Sequence, residues 1–203
     1  ILCTLVDVVS LRDKGWDYIT YTAPAASLGA AKVLKLPEEI MSDSVSLAMV
    51  PNCALGQTRA GELTMWKGLA SANACRNGVF ACMLAREGVT GPSEPVEGKR
   101  GFWNLVTGPF DLSSLGRQPL RAEIVYLKNW PVLYSAQLAV QAALALRDQV
   151  TVNDIESIVV EAYNRLTTRS ASEPEKRQPK TRETADHSVH FGVAAALLGG
   201  DIT

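Results

Sequence analysis

Apolar positions recur at a helical interval through the first part of the chain. Residues 1–11 are apolar with a period near 3.6. Residues 24–36 are Ala-rich, with Leu28, Ala31 and Leu34 at helical spacing, and predict a second helix. Pro37-Glu38-Glu39 reads as the start of a third, since proline fits a first helical turn and carboxylates favour the positive end of the dipole. Pro51-Asn52 stops it after Val50. Residues 66–87 predict a long helix ended by Gly88. Its Ala70, Ala72, Ala74, Gly78, Ala81 and Ala85 are small almost all round, which lets neighbours approach closely and places the helix deep in a helical domain.

Glycine and proline break the pattern over residues 88–121, a long connecting region. Beyond it the grammar changes. Residues 123–127 predict a strand, and Pro131 opens an apolar helix to about Arg147. Thr151-Val152-Asn153-Asp154 resembles a capping box for one helical turn. The alternating, β-branched residues 158–162 predict another strand. Residues 170–180 are charged and contain prolines, as in an exposed loop, and 184–198 return to helix, closed by Gly199-Gly200. No internal repeat is visible. The expected organisation is part of an all-α domain over residues 1–120, followed by part of a smaller α+β domain over 121–203.

Composition narrows the function classes. The 203 residues are 47% hydrophobic and 20% charged, which suits a packed core. With 20 basic against 21 acidic residues, no excess charge draws the chain to nucleic acid or to an anionic membrane. No apolar run is long enough for a membrane span. Cys3, Cys53, Cys75 and Cys82 lack a regular spacing, which fits a reducing, cytosolic-type compartment better than a disulfide framework. The chain opens on Ile1 with no basic segment before an apolar one and reads as if cut inside a helix.

Candidate chemistry concentrates in residues 52–68. Gly56 and Gly61 bracket Gln57, Thr58 and Arg59, and Lys67 follows Trp66 at the start of the long helix. A cation is disfavoured there by the helix dipole and needs an anionic partner or ligand. Lys67 can instead reach solvent or pair with Glu62, and Glu62 can equally pair with Arg59, whose guanidinium suits carboxylates. Asp186-His187 is a second candidate: Asp beside His can do acid–base work, although Asp186 can equally cap the last helix.

The stretch Gln57-Thr58-Arg59-Ala60-Gly61-Glu62-Leu63-Thr64-Met65-Trp66-Lys67-Gly68-Leu69-Ala70, continued through Asn73-Ala74-Cys75-Arg76-Asn77-Gly78, resembles the signature of the 2-methylcitrate dehydratase (MmgE/PrpD) family. Lys14-Gly15-Trp16-Asp17, Glu97-Gly98-Lys99 before Phe102-Trp103, Lys128-Asn129-Trp130-Pro131 with Gln137, and Thr184-Ala185-Asp186-His187-Ser188 agree in the same order. The resemblance implies a large helical domain, a smaller α+β domain, and an active site in the cleft between them. It implies water elimination from a hydroxy-tricarboxylate such as 2-methylcitrate, in the methylcitrate cycle of propionate catabolism, or decarboxylation of cis-aconitate. It implies no cofactor or metal, a homodimer, and a cytoplasmic or mitochondrial-matrix setting. On this footing Lys67, Asp17, Tyr18 and His187 are the expected catalytic residues. Arg59, Thr58, Gln57, Lys128, Ser135 and Asp186 are the expected substrate-binding ones. Three departures stand out. Tyr18 and the stretch ending at Ser135 replace histidines common in relatives, and Val189-His190-Phe191 stands where Leu-Pro-Tyr is usual. Family members are also longer, with first helices that bring an acidic residue and a histidine to the cleft, so this chain alone is expected to be an inactive fragment, and a silent homologue is a further alternative.

Overall fold

The computed structural model describes residues 1–113, 121–162, 172–199 and Ile202. They form two compact units: Ile1–Arg59 with Trp66–Val125, and Ala60–Met65 with Tyr126–Thr203.

Unit 1 is built on four helices: α1 (Leu2–Val8), α2 (Thr22–Val33), α3 (Glu38–Met49) and α4 (Trp66–Arg86). Pro37 sits at the N-cap of α3, with Glu38 and Glu39 in the first turn, where the dipole favours them. Gly88 ends α4 with φ +90, while its N–H bonds to Ala85 O and that of Val89 to Leu84 O, a Schellman closure that only a left-handed residue completes cheaply. The small stripe of α4 packs on α2 and α3: Ala70, Ala74, Ala81 and Ala85 are buried, and a Cβ at Gly78 would lie 2.3 Å from Ala23 O. Between α2 and α3, Ser27 Oγ donates to Ser44 Oγ at 2.9 Å, and Ser44 Oγ donates to Met41 O.

Burial on every side of α4 does not hold among the described residues. Leu69, Val79 and Phe80 on its other face are exposed, because close packing follows the small stripe. The glycine-rich region is more than a connector. Its π-helical turn Trp103–Thr107 delivers Phe102 and Val106 into a core with Leu5, Leu11, Tyr21 and Met49. Burial there pushes the Tyr21 hydroxyl up to about 12.

Unit 2 pairs α5 (Gln137–Leu146) with α8 (Val189–Leu197) around Val132, Ala136, Val140, Ala143, Val193, Ala196 and Leu197. The expected single helix over 184–198 is two. Thr181 caps α7 (Arg182–Ala185) and Ser188 caps α8, and each side-chain oxygen that accepts an N–H starts a new helix. Asp186 is therefore the C-cap of α7, not an N-cap. Gly199, at φ +78, follows α8, and Gly200 lies outside the described residues.

Neither expected strand forms a ladder among the described residues. Residues 121–124 are a 3-10 turn, and 125–127 and 158–162 are irregular. A strand is held by hydrogen bonds to a neighbour, and no described segment supplies them, so Leu127 and Val159 stay 86% and 81% exposed. The turn Val152–Asp154 forms without a side-chain bond from Thr151. In the expected loop, 170 and 171 lie outside the described residues, but Pro174–Arg177 forms a single turn, α6, and Lys176 is buried. No helix of the described residues is long and apolar enough to cross a membrane.

Candidate functional site

In unit 1, two distant segments are clipped side by side. Asp17 N–H donates to Ala54 O at 2.9 Å, Gly56 N–H to Gly15 O at 2.9 Å, and Trp16 bridges antiparallel to Leu55. Thr20 Oγ1 completes the clip by accepting from Ala54 N–H at 2.9 Å. The approach requires glycine at 56, where a Cβ would lie 2.7 Å from Gly15 O.

The clip carries Asp17 to Arg59, which ends the 3-10 turn Gly56–Arg59. Arg59 Nε donates to Asp17 Oδ2 at 2.7 Å, and the two side chains are 19% and 0% exposed. The guanidinium lies over the half-exposed Tyr18 ring, 4.4 Å from its centroid, a cation–π contact. Asp17 Oδ1 accepts from Ile19 N–H at 3.1 Å. Both carboxylate oxygens are thus engaged and the group is buried, so Asp17 holds the Arg59 guanidinium in place. Arg59 pairs with Asp17 and not with Glu62, the alternative open in the sequence. Thr58 is half-buried and Gln57 exposed in the same turn. Lys67 is half-buried in the first turn of α4 and makes an interaction of its own.

In unit 2, Gln137 organises the motif around Lys128. Its Oε1 accepts from Asn129 N–H at 2.9 Å and Trp130 N–H at 3.1 Å, and its Nε2 donates to Trp130 O at 2.9 Å. Lys128 itself is exposed. Leu133 N–H donates to Asp186 O at 2.8 Å, which ties the turn bearing Ser135 to the one bearing His187. The Asp186 carboxylate is 3.9 Å from Arg182 Nε. His187 Nδ1 lies 2.9 Å from Glu183 O. A carbonyl can only accept, so Nδ1 carries the proton, and in the neutral ring the basic lone pair is on Nε2. Phe191, exposed in α8, supplies no hydroxyl.

Unit 2 also has an open groove of about 970 Å³ lined by α5, α8 and residues 158–162. It does not suit a tricarboxylate. Apart from Ser135, Glu161 and His190 its lining is apolar, and Glu161 would repel carboxylates. Among the described residues no three His, Cys, Asp or Glu side chains gather as metal ligands.

Pattern reading passed over Thr20 and Thr181 and gave no role to Gln137 and Thr184, quoted only as motif positions, although Thr181 and Thr184 bind residues 62 and 63. Threonine and glutamine in mixed-polarity stretches carry no periodic signal, and the partners of Thr20, Thr181 and Thr184 are distant in sequence.

Residues 1–115 match the model of the MmgE/PrpD N-terminal domain, and residues 130–203 match that of the MmgE/PrpD C-terminal domain. The chain belongs to the MmgE/PrpD family.

Proposed function

We propose that this chain forms part of a hydro-lyase that removes water from a hydroxy-tricarboxylate of the 2-methylcitrate type, as a homodimer in a reducing compartment. Family membership supports a dehydratase-like activity. The observation that carries the substrate class is the Arg59 centre. The bond to Asp17 uses Nε, so the terminal N–H groups of a preset guanidinium are the part able to take a carboxylate.

Dehydration needs a base for the carbon-bound proton, an acid for the departing hydroxyl, and cations that match the carboxylates. In this reading Lys67, Arg59 and Lys128 bind substrate carboxylates, with Lys67 also stabilising developing negative charge. His187 is the proton carrier, working through Nε2. Ser135, Thr58, Gln57 and the Tyr18 hydroxyl hold the substrate oxygens, and Asp186 orients the turn of His187. The proton leaves carbon as the carbon–oxygen bond breaks, and the hydroxyl departs as water.

The test is turnover of 2-methylcitrate by the full-length protein, with product analysis. Lys67→Ala is expected to lower kcat/KM about 100-fold or more, the scale for removing one electrostatic donor. A near-normal kcat/KM in that variant overturns the role of Lys67. Carbon dioxide release without an alkene formed by water loss overturns the reaction class.

A further inference from the structure

We propose that Thr181 and Thr184 are positioning residues for this reaction, acting by clamping Ala60–Met65, the backbone that runs from Arg59 into Trp66 and Lys67. The inference rests on the reading above, in which Arg59 and Lys67 both meet carboxylates of one small molecule.

Three consecutive residues of the segment are held by one short stretch of unit 2. Gly61 O accepts from Lys176 Nζ at 3.0 Å. Glu62 Oε1 accepts from the N–H groups of Lys180 and Thr181, both at 3.1 Å. Leu63 N–H donates to Thr184 Oγ1 at 2.7 Å, and Leu63 O accepts from Thr181 Oγ1 at 2.7 Å.

Proton counting closes the circuit. Thr181 has one hydroxyl hydrogen, and its shortest acceptor is Leu63 O. The Thr184 hydroxyl accepts from Leu63 and has its own hydrogen for Thr181 Oγ1, 2.8 Å away, while the Glu62 carboxyl is held below its ordinary value first by the Thr184 hydroxyl, against desolvation, and then by the groups of residues 180 and 181. Thr184 is fully buried and Lys176 nearly so, and Ser188 Oγ fixes the Lys176 carbonyl. Surface loops are ordinarily satisfied by water. Here buried hydroxyls and a buried ammonium are committed to a six-residue segment flanked by two candidate carboxylate ligands. Two cations meant for one rigid polyanion need a fixed backbone between them, since small displacements of a binding group are costly.

The experiment compares Thr184→Val, Thr181→Val, Thr181→Ser and Glu62→Gln in the purified full-length protein. The valine variants are expected to lower kcat at least tenfold with KM within about threefold, while Thr181→Ser keeps kcat within twofold because it restores the hydroxyl. Glu62→Gln, which keeps shape and lies partly in solvent, serves if a valine variant fails to fold, and is expected to fall between. Amide exchange at Leu63 and tryptic cleavage after Arg59 are expected to quicken in the same order. Wild-type kcat in both valine variants, or equal losses in Thr181→Ser and Thr181→Val, overturns the proposal while Lys67→Ala still tests the reaction. Should the wild-type protein turn over nothing, the reaction is what has failed, and unchanged exchange at Leu63 then overturns the clamp itself.

Discussion

A methyl group added at Gly78 in unit 1 would lie 2.3 Å from a backbone oxygen of α2, whereas one added at Gly192 in unit 2 would meet the side chains of Val140, at 3.1 Å, and Val132, at 4.0 Å. Both glycines sit where helices cross, yet one contact is backbone against backbone and the other ends on a side chain that can turn. The polar sites differ in the same sense. Asp17 and Arg59 are buried partners fixed by a backbone clip, while Lys128 is exposed and the groove beside α5 and α8 lies open. Unit 1 fixes its candidate cation before any ligand arrives. Unit 2 supplies its groups from turns, whose geometry is set by Gln137, Thr181 and Ser188.

The contrast can be broken most forcefully at the ion pair. Asp17→Ala is expected to cost about 3 kcal/mol or more, because it strands the Arg59 charge in a largely buried place. Chemical denaturation measures it, and a loss under 1 kcal/mol would mean the guanidinium finds water easily. The two glycines sharpen the comparison. Gly78→Ala is expected to cost about 2–3 kcal/mol, since backbone must move, and Gly192→Ala about 1 kcal/mol or less. Equal costs would remove the distinction. The smallest effect is alkaline. The Tyr21 hydroxyl ionises at about 12 instead of 10.0, so its contribution is complete below pH 10 and disappears as pH rises through 12. Tyr21→Phe should flatten that part of the stability curve, and the aliphatic core of unit 2 has no matching group.

Much of the helical architecture was legible because it is local. The small stripe of α4, the Pro37 start of α3 and the Gly88 stop follow from periodicity, dipole and left-handed backbone within a few residues. The strand-like alternation at 158–162 misled for a related reason: β-branching suits an extended backbone, but a strand also needs a neighbour that the described residues do not offer. The site was legible in part. Arg59 and Asp17 were each singled out, yet their pairing was not, and Glu62 looked the nearer partner by sequence.

By itself the sequence determined the helices of residues 1–88 and kinship with the MmgE/PrpD family, because hydrophobic period, turn residues and motif order are properties of the chain in one dimension. Only the tertiary structure decided that Asp17 serves Arg59, that Glu62 belongs with Thr181 and Thr184, and that Lys176 is buried. A charged side chain takes the partner that replaces its lost water, and packing brings that partner from 42 residues away for Arg59 and 119 for Glu62.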